Sequence, residues 1–511
     1  MKTAITLFKD TYLDSVLQLA GTRAMRQVEG VQWAAAAMGT AANLETVREQ
    51  GFTADDIGDA AAGDLILAVR AIDPASTEAA LKAGEQAMFA ARERVSDTAA
   101  AQPRSLDQAL HQQLDSNIAI VSVPGDYAAL EAHKALAAGL DVLLFSDNVS
   151  VDDEIALKEH AARRGRFVMG PGAGTAMLAN TGLGFANVVR PGRVGVIAAA
   201  GTGAQEAMAL LDRWGVGVSH VIGLGGRDLS QAVAGRMAAL ALEALREDPA
   251  TEVILLVSKP PAMSVAQKVM TLAGDTPLVA SLIGLSPDAA TPARVHVSDT
   301  LEGGVVRTLD VLGIVAPDRT RLRGPSIEDA IVRLAPNRTT VRGLFSGGTL
   351  CYEALVLLGR SLGPVWSNTP IDKAYGLPAP EHASICLDLG EEEYTKGRPH
   401  PMIDPEARVD MLREAGHDPD IAVVLLDVVL GHGSHPDPAG MLAPVCAEIS
   451  GSDGPQVVAY VLGTDQDPQG YADQVRKLVD AGCIVTETAA RAALTAAAIA
   501  TRTPQTAKIV L

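Results

Sequence analysis

The chain has 511 residues, with 61 Asp and Glu against 42 Lys and Arg, and a formal net charge of -19. That field repels nucleic acid and anionic membrane, and no basic cluster offsets it, which excludes both as partners; small anionic substrates must be caught by local positive features. The length exceeds what one hydrophobic core organises, and 3% aromatic residues beside abundant Ala, Gly and Val suit the small-residue packing of a layered α/β protein.

Residues 1–100 read as a small α+β domain, with strands near 4–8, 31–37 and 64–69, a helix from about Leu13 and another over 77–94. Lys9, Asp10 and Asp14 interrupt any signal-peptide core and no apolar run reaches transmembrane length, so a cytoplasmic protein is expected. The polar stretch 95–116, with Pro103, is the linker. In 117–189, apolar strands (IAIVSVP, DVLLFSD, FVMGPG) alternate with amphipathic helices, the pattern of a parallel doubly wound sheet. A unit over 190–315 repeats the rhythm with RVGVIAA, VSHVIGLG, VILLVSK and LVASLIG. After a connector near 317–336, a last unit over 338–511 has VRGLFSG, SICLDLG, IAVVLLDVV, QVVAYVLG and IVTE, and ends in an alanine-rich helix. Cys351, Cys386, Cys446 and Cys483 lie far apart without ligand spacing and read as small buried hydrophobes in a reducing compartment.

The last two units open alike. GTGAQEAMALLDR from Gly201 and GTLCYEALVLLGR from Gly348 are identical at seven of thirteen positions, at an offset of 147 residues. Each follows a strand-like run and places glycine where a helix begins. Such a turn lets backbone N–H groups approach a ligand, and the helix start adds about half a positive charge. Two copies suggest one doubly charged phosphate held from both sides, by the backbone at Gly201, Thr202 and Gly203 and at Gly347, Gly348 and Thr349. The same glycines also suit a plain tight turn, and the threonines also suit N-caps.

The run from VPGDYAALEAHK to FVMGPG, then RVGVIAAAGTGAQEA and VIGLGG, resembles the α-subunit of succinyl-CoA synthetase and related NDP-forming acyl-CoA ligases, whose glycine-led helices grip a phosphate. SGGTLCYEA resembles that motif more closely still. ICLDLG and LGTDQDPQGYADQVRKLVDAG are similar to the β-subunit's carboxy-terminal domain. Across nearly the whole chain, LLFSDNVSVDDEI, IGLGGRDLS, VSKPPA, GRPHPMIDP and LLDVVLGHGSHPDPA resemble the FdrA family. The implied fold is α/β and multidomain: a Rossmann-like, CoA-binding-type domain and two flavodoxin-like, succinyl-CoA-synthetase-type domains behind the small N-terminal one.

A ligase of this kind needs a nucleotide site, a CoA site and a histidine that carries phosphate between them. The chain has no Walker motif, no room for an ATP-grasp domain among its smaller units and no recognisable CoA loop. Where the histidine would stand the sequence reads LSPDAATPARVHVSD, with His296 in a strand-like setting. The FdrA resemblance implies instead a subunit of oxamate carbamoyltransferase in purine and allantoin nitrogen catabolism. That enzyme interconverts oxalurate plus phosphate with oxamate plus carbamoyl phosphate, working with two further protein subunits; a homo-oligomer is also compatible. On that reading no cofactor is expected; CoA and a nucleotide enter only for an acyl-CoA ligase subunit. A non-catalytic scaffold of the same fold is the third reading.

The reaction needs donors for an oxyanion, a cation for a carboxylate and a proton acceptor. Gly225 and Gly226 end a strand, and Arg227 after them reads as an anion clamp or as the partner of Asp228 or another acid. Lys259, held in an extended loop by Pro260 and Pro261, reads as a substrate contact or a solvated lysine. In GRPHPMIDP the prolines around His400 restrict the backbone and aim Arg398 and His400; His400 is a candidate general acid/base, or locks the loop through Asp404. Asp427 interrupts an apolar strand and either orients His400 or Arg398 or satisfies neighbouring backbone. His432 and His435 lie on a glycine-proline loop, and no metal is assigned to them.

Overall fold

The computed structural model describes residues 2–13, 15–93, 103–285, 291–395, 399–450 and 454–511. It divides into two compact units, Met1–Ala109 with Glu392–Ile403, and Leu110–Glu391 with Asp404–Leu511. In the first unit β1 (Lys2–Phe8), β2 (Val31–Met38) and β3 (Leu65–Ala71) form an antiparallel sheet with β3 in the middle. The sequence of β3, LILAVRA, is apolar on both faces because both are covered. Leu65, Leu67, Val69 and Ala71 join a core with Met25 and Met88, while Ile66 and Ala68 join a second with Val47 and Phe52.

In the second unit β4 (Ile118–Val121), β5 (Asp141–Leu144) and β6 (Val168–Met169) make a small parallel sheet. A seven-stranded sheet follows, built from β7 (Thr175–Leu178), β8 (Thr181–Gly184), β9 (Pro191–Ala199), β10 (Val218–Gly223), β11 (Val253–Ser258), β12 (Leu278–Leu282) and β13 (Val295–Ser298). The last sheet, also seven-stranded, contains β14 (Leu322–Arg323), β15 (Thr340–Phe345), β16 (Val365–Ser367), β17 (Ser384–Asp388), β18 (Ile421–Val429), β19 (Gln456–Leu462) and β20 (Ile484–Thr486). Their central parallel strands run β10-β9-β11-β12-β13 and β17-β15-β18-β19-β20, the second set extended by β16, parallel to β17 at the edge. Both are the flavodoxin-like order, in which the chain reverses direction across the sheet beside its first strand.

Two details depart from the sequence reading. Residues 175–184, assigned there to the Rossmann-like unit, form a hairpin whose β7 pairs antiparallel with β10, so they belong to the following sheet. Its two-residue turn, Ala179-Asn180, has φ of 46° and 63°. Positive φ at both positions is the hairpin-favouring geometry, but Ala-Asn lacks the glycine that announces it in sequence. The connector near 317–336 also contributes β14, antiparallel to β20.

The two large sheets of this unit are clasped by pseudo-equivalent contacts. Arg213, which ends the Gly201–Arg213 helix, donates to the Glu487 carbonyl at 2.6 Å and to the Tyr471 hydroxyl at 2.5 Å. Its counterpart Arg360, in the Gly348–Leu362 helix, pairs with Asp299. Between them Glu302 receives Arg491, Arg319 at 3.0 Å and the Thr488 hydroxyl at 2.6 Å. The Ala489–Ala500 helix is buried on every side, so its alanines let neighbouring elements approach closely. Glu302 is 1% exposed, and Glu302→Ala leaves the Arg491 charge buried and unpaired. Urea unfolding should show a loss of about 3–5 kcal/mol; a loss below about 1 kcal/mol would contradict this role for the clasp.

Candidate functional site

In both flavodoxin-like cores the chain leaves the first strand at the carboxyl edge, where the strand order reverses and α/β sheets bind ligands. Beyond β9 lies the Gly201 helix. The pairing of Ala199 with Ser258 brings Lys259, just past β11, out beside it. Beyond β15 lies the Gly348 helix, and the pairing of Phe345 with Asp388 sets the last residue of β17 next to its turn.

The two helix starts meet. Thr349 N donates to Thr202 Oγ1 at 3.3 Å, joining the two motifs at equivalent positions. Glycine permits the approach: a Cβ on Gly203 would lie 2.8 Å from Thr349 Cγ2, and one on Gly347 2.9 Å from Thr202 Cγ2. The N-caps are Ala200 and Gly347, and neither helix has a side-chain cap. The threonines are therefore inside the helices, not caps; neither helix is capped by its own N-cap side chain, and of the first-turn amides Thr349 N is spent on Thr202 Oγ1. Thr349 Oγ1 is buried and has no hydrogen-bond partner among the described residues. Gly201 is exposed and Gly348 half-buried, so both helix starts reach solvent.

Asp427, 1% exposed, holds the second turn in shape. Its carboxylate accepts from Ser346 N at 2.8 Å, Ser346 Oγ at 3.0 Å and Gly347 N at 2.7 Å. Buried Arg408 lies 3.1 Å from it and also donates to the Leu344 carbonyl at 2.8 Å. Of the two readings open to Asp427, satisfying neighbouring backbone is the one its contacts display. Asp427→Ala frees three donors and the Arg408 charge in the interior. The expected cost is about 3–5 kcal/mol, read by chemical unfolding; a near-neutral variant would remove Asp427 from this role.

Lys259 Nζ lies 5.5 Å from the centre of the Tyr352 ring, on the Gly348 helix, and a Cβ built on Gly226 would sit 4.0 Å from it. Gly225, at φ 80°, has no space for a side chain against the 170–171 backbone. Arg227 Nε donates to Glu154 at 2.8 Å and Nη2 to the Val149 carbonyl at 2.7 Å. Its acid partner is thus Glu154, and Asp228 pairs with buried Lys158 at 2.9 Å. Arg398 lies outside the described residues. His400 belongs with the segment Glu392–Ile403 to the first unit; its Nδ1 accepts from Met402 N at 3.2 Å. Asp404 accepts from Glu406 N at 3.2 Å at the start of the next helix. No cluster of three or more metal-ligating side chains occurs among the described residues.

Asp388 is a site residue the sequence reading passed over, although a charged residue closing an apolar strand at a ligand-binding edge was its signal. It is 3% exposed and points at the Gly348 helix start so closely that a Cβ on Gly348 would collide with its Oδ2. Burial pushes its carboxyl up to about 6, against the opposing pull of Lys259. Glu206 and Glu353 were also missed, though each is one of the identities shared by the repeats. Both are buried; Glu353 accepts from Leu301 N at 2.6 Å, and Glu206 from the Tyr460 hydroxyl at 2.5 Å. Burial raises Glu206 to about 7 and Glu353 to about 8 from the ordinary 4.5. A carboxyl raised in this way favours the fold below pH 4.5, and that contribution is lost as pH climbs through 7 to 8. Glu353→Gln should therefore gain stability relative to the native chain between pH 6 and pH 9, on the order of 1–3 kcal/mol by thermal or urea unfolding; a pH-independent difference would contradict the burial of an ionisable proton there.

The folds and the paired glycine-led helices define a succinyl-CoA-synthetase-like α/β protein. The chain belongs to the family of the Escherichia coli protein YahF, with which it is 36% identical over 507 residues, 97% of this chain and 98% of YahF. A family model described as CoA-ligase matches residues 344–499, and one described as AllF, heavy metal-associated domain, matches residues 1–104. The α subunit of ADP-forming succinate–CoA ligase from Methanothermobacter thermautotrophicus is 27% identical over 151 residues, 29% of this chain and 50% of that subunit. The match thus spans about half the length of that relative. The match to the dinucleotide-forming acetyl-coenzyme A synthetase 1 of Ca. Korarchaeum cryptofilum, solved with phosphate and ADP, covers 77% of this chain and 85% of that one at 14% identity and TM-score 0.26. Residues 1–104 contain no cysteine and no histidine, so they offer a heavy-metal ion neither a thiolate nor an imidazole. No helix among the described residues is long and apolar enough to cross a membrane.

Proposed function

We propose that the chain is the acyl-phosphate-handling subunit of an acyl-CoA-ligase-type enzyme. The phosphate of a mixed anhydride, R–CO–OPO₃²⁻, sits at the meeting point of the Gly201 and Gly348 helices, and Lys259 balances its charge. The observation that carries this is the Thr349 to Thr202 contact, which brings two positive helix ends together beside a lysine. In a chain of net charge -19 that convergence is a local exception to the global field. Similarity to succinate–CoA ligase α subunits supports the ligase class.

A second reading changes only the acyl group and its acceptor. With carbamoyl phosphate as the anhydride and oxamate as the acceptor, the same cradle serves carbamoyl transfer. What favours it is the stretch after β12, which holds no histidine before His296; His296 itself lies in edge strand β13, paired with Val279. Without a histidine to carry phosphate, the phosphate arrives on the substrate. Partner subunits or a second copy supply the rest of the site on either reading, and the isolated chain has little activity.

Titration calorimetry with inorganic phosphate, acetyl phosphate, carbamoyl phosphate, ADP and CoA tests both. Phosphate should bind, and Lys259→Met should weaken it by about 1.5–3 kcal/mol, roughly tenfold to a hundredfold. CoA or ADP binding favours the ligase; carbamoyl phosphate binding without either favours carbamoyl transfer. If no phosphate compound binds, alone or with partner subunits, the anion-site reading falls.

A further inference from the structure

Resting on the anion-site reading, we infer that Asp388 is the proton carrier of this site, meeting the bound phosphoryl group as a neutral carboxylic acid and exchanging a proton with it.

Four observations converge. Asp388 closes β17, in register with Phe345 just before the Ser346-Gly347 turn, so its position is fixed by the sheet. Its side chain is 3% exposed and packed against Gly348, the first residue of the helix start that Thr349 shares with Thr202. Oδ1 accepts from Gly390 N at 3.0 Å, and the next strand is tied to the same residue by Asn368, which donates to its carbonyl at 2.9 Å and accepts from its amide at 2.9 Å. The buried Thr349 hydroxyl, without a partner among the described residues, marks the same helix start as built for a further polar group.

An ionised carboxylate at this place would repel a phosphoryl group, whereas a protonated one donates a hydrogen bond to it. The charges that face Asp388 divide accordingly. Lys259 favours its ionised form, while Glu391 and Asp427 oppose it, and Tyr352 and Cys351 stand near as neutral groups. Burial is the largest influence and holds the carboxyl at about 6, so an arriving anion moves it readily to the acid form. In transfer, the nucleophile H–Nu bonds to the acyl carbon and the C–O bond to phosphate breaks, its electron pair leaving on the phosphate oxygen. Asp388 gives its proton to that oxygen and regains one from H–Nu, so R–CO–OPO₃²⁻ plus H–Nu becomes R–CO–Nu plus HPO₄²⁻. Asp388 ends as it began.

Sulfate, which does not itself titrate near neutrality, isolates the carboxyl. Calorimetry of the full chain in buffers of different ionisation enthalpy should show proton uptake on sulfate binding near pH 7, and affinity should fall roughly tenfold between pH 6 and pH 8. Asp388→Asn should bind sulfate with no proton uptake and a flat pH profile. Lys259→Met should keep the uptake but move its midpoint to higher pH, which covers the case of an Asp388 variant that does not fold. Sulfate binding without proton uptake in the native chain, or uptake that survives in a folded Asp388→Asn, overturns the assignment. Failure of the native chain to bind either sulfate or phosphate at any pH is a different result: it removes the anion site itself.

Discussion

Two helix starts pressed together at Thr202 and Thr349 are the constraint around which the larger unit is arranged. Each brings roughly half a positive charge to the junction, so their approach is unfavourable without something negative nearby. Glycine at 203 and 347 makes the approach sterically possible. Asp427 answers part of the charge from below, through the Ser346 and Gly347 amides, and Arg408 in turn holds Asp427. Asp388 stands beside the second start, and Lys259 reaches across from the first sheet toward the second.

The clasp farther along the same helices keeps that junction closed. Arg213 and Arg360 occupy equivalent places in the repeats and each reaches the loop preceding a helix in the opposite domain. Glu206 and Glu353 do the same one turn beyond the junction, meeting the starts of the Ala489 and Leu301 helices. A duplicated unit paired face to face thus explains why threonine, glutamate and arginine recur at equivalent positions: each copy uses threonine at the junction, glutamate for its partner's helix start and arginine for the clasp. The chemistry then differs between the halves through residues outside the repeat, Lys259 in one and Asp388 in the other.

The architecture was legible because each layer announces itself. Apolar strands alternate with amphipathic helices, and the repeat marks the first strand of each large sheet. The hairpin at 175–184 was hidden by a turn without glycine, and β14 by a two-residue strand among prolines and arginines. The glycine turns were legible as a pair because a long exact offset is rare, and their meeting at Thr202 and Thr349 is the spatial fact that sequence could only suggest. Asp427 was found as a charge in an apolar strand, but its partners, Ser346, Gly347 and Arg408, are brought to it by strand pairing and a helix 19 residues away in sequence, which local pattern does not encode. Arg227 was legible as a cation at a strand end; only the fold could choose Glu154 for it. Asp388 went unread because a terminal Asp on a strand is ordinary until the Gly348 helix is seen to close over it.

Anomalous diffraction from crystals soaked in selenate, a phosphate mimic with a locatable heavy atom, decides whether the two helix starts form an anion site. The strongest selenium peak should lie at the junction of the Gly201 and Gly348 helix starts, within hydrogen-bonding reach of their first-turn amides and of Lys259. Well-ordered selenate elsewhere, with that junction vacant, would contradict it.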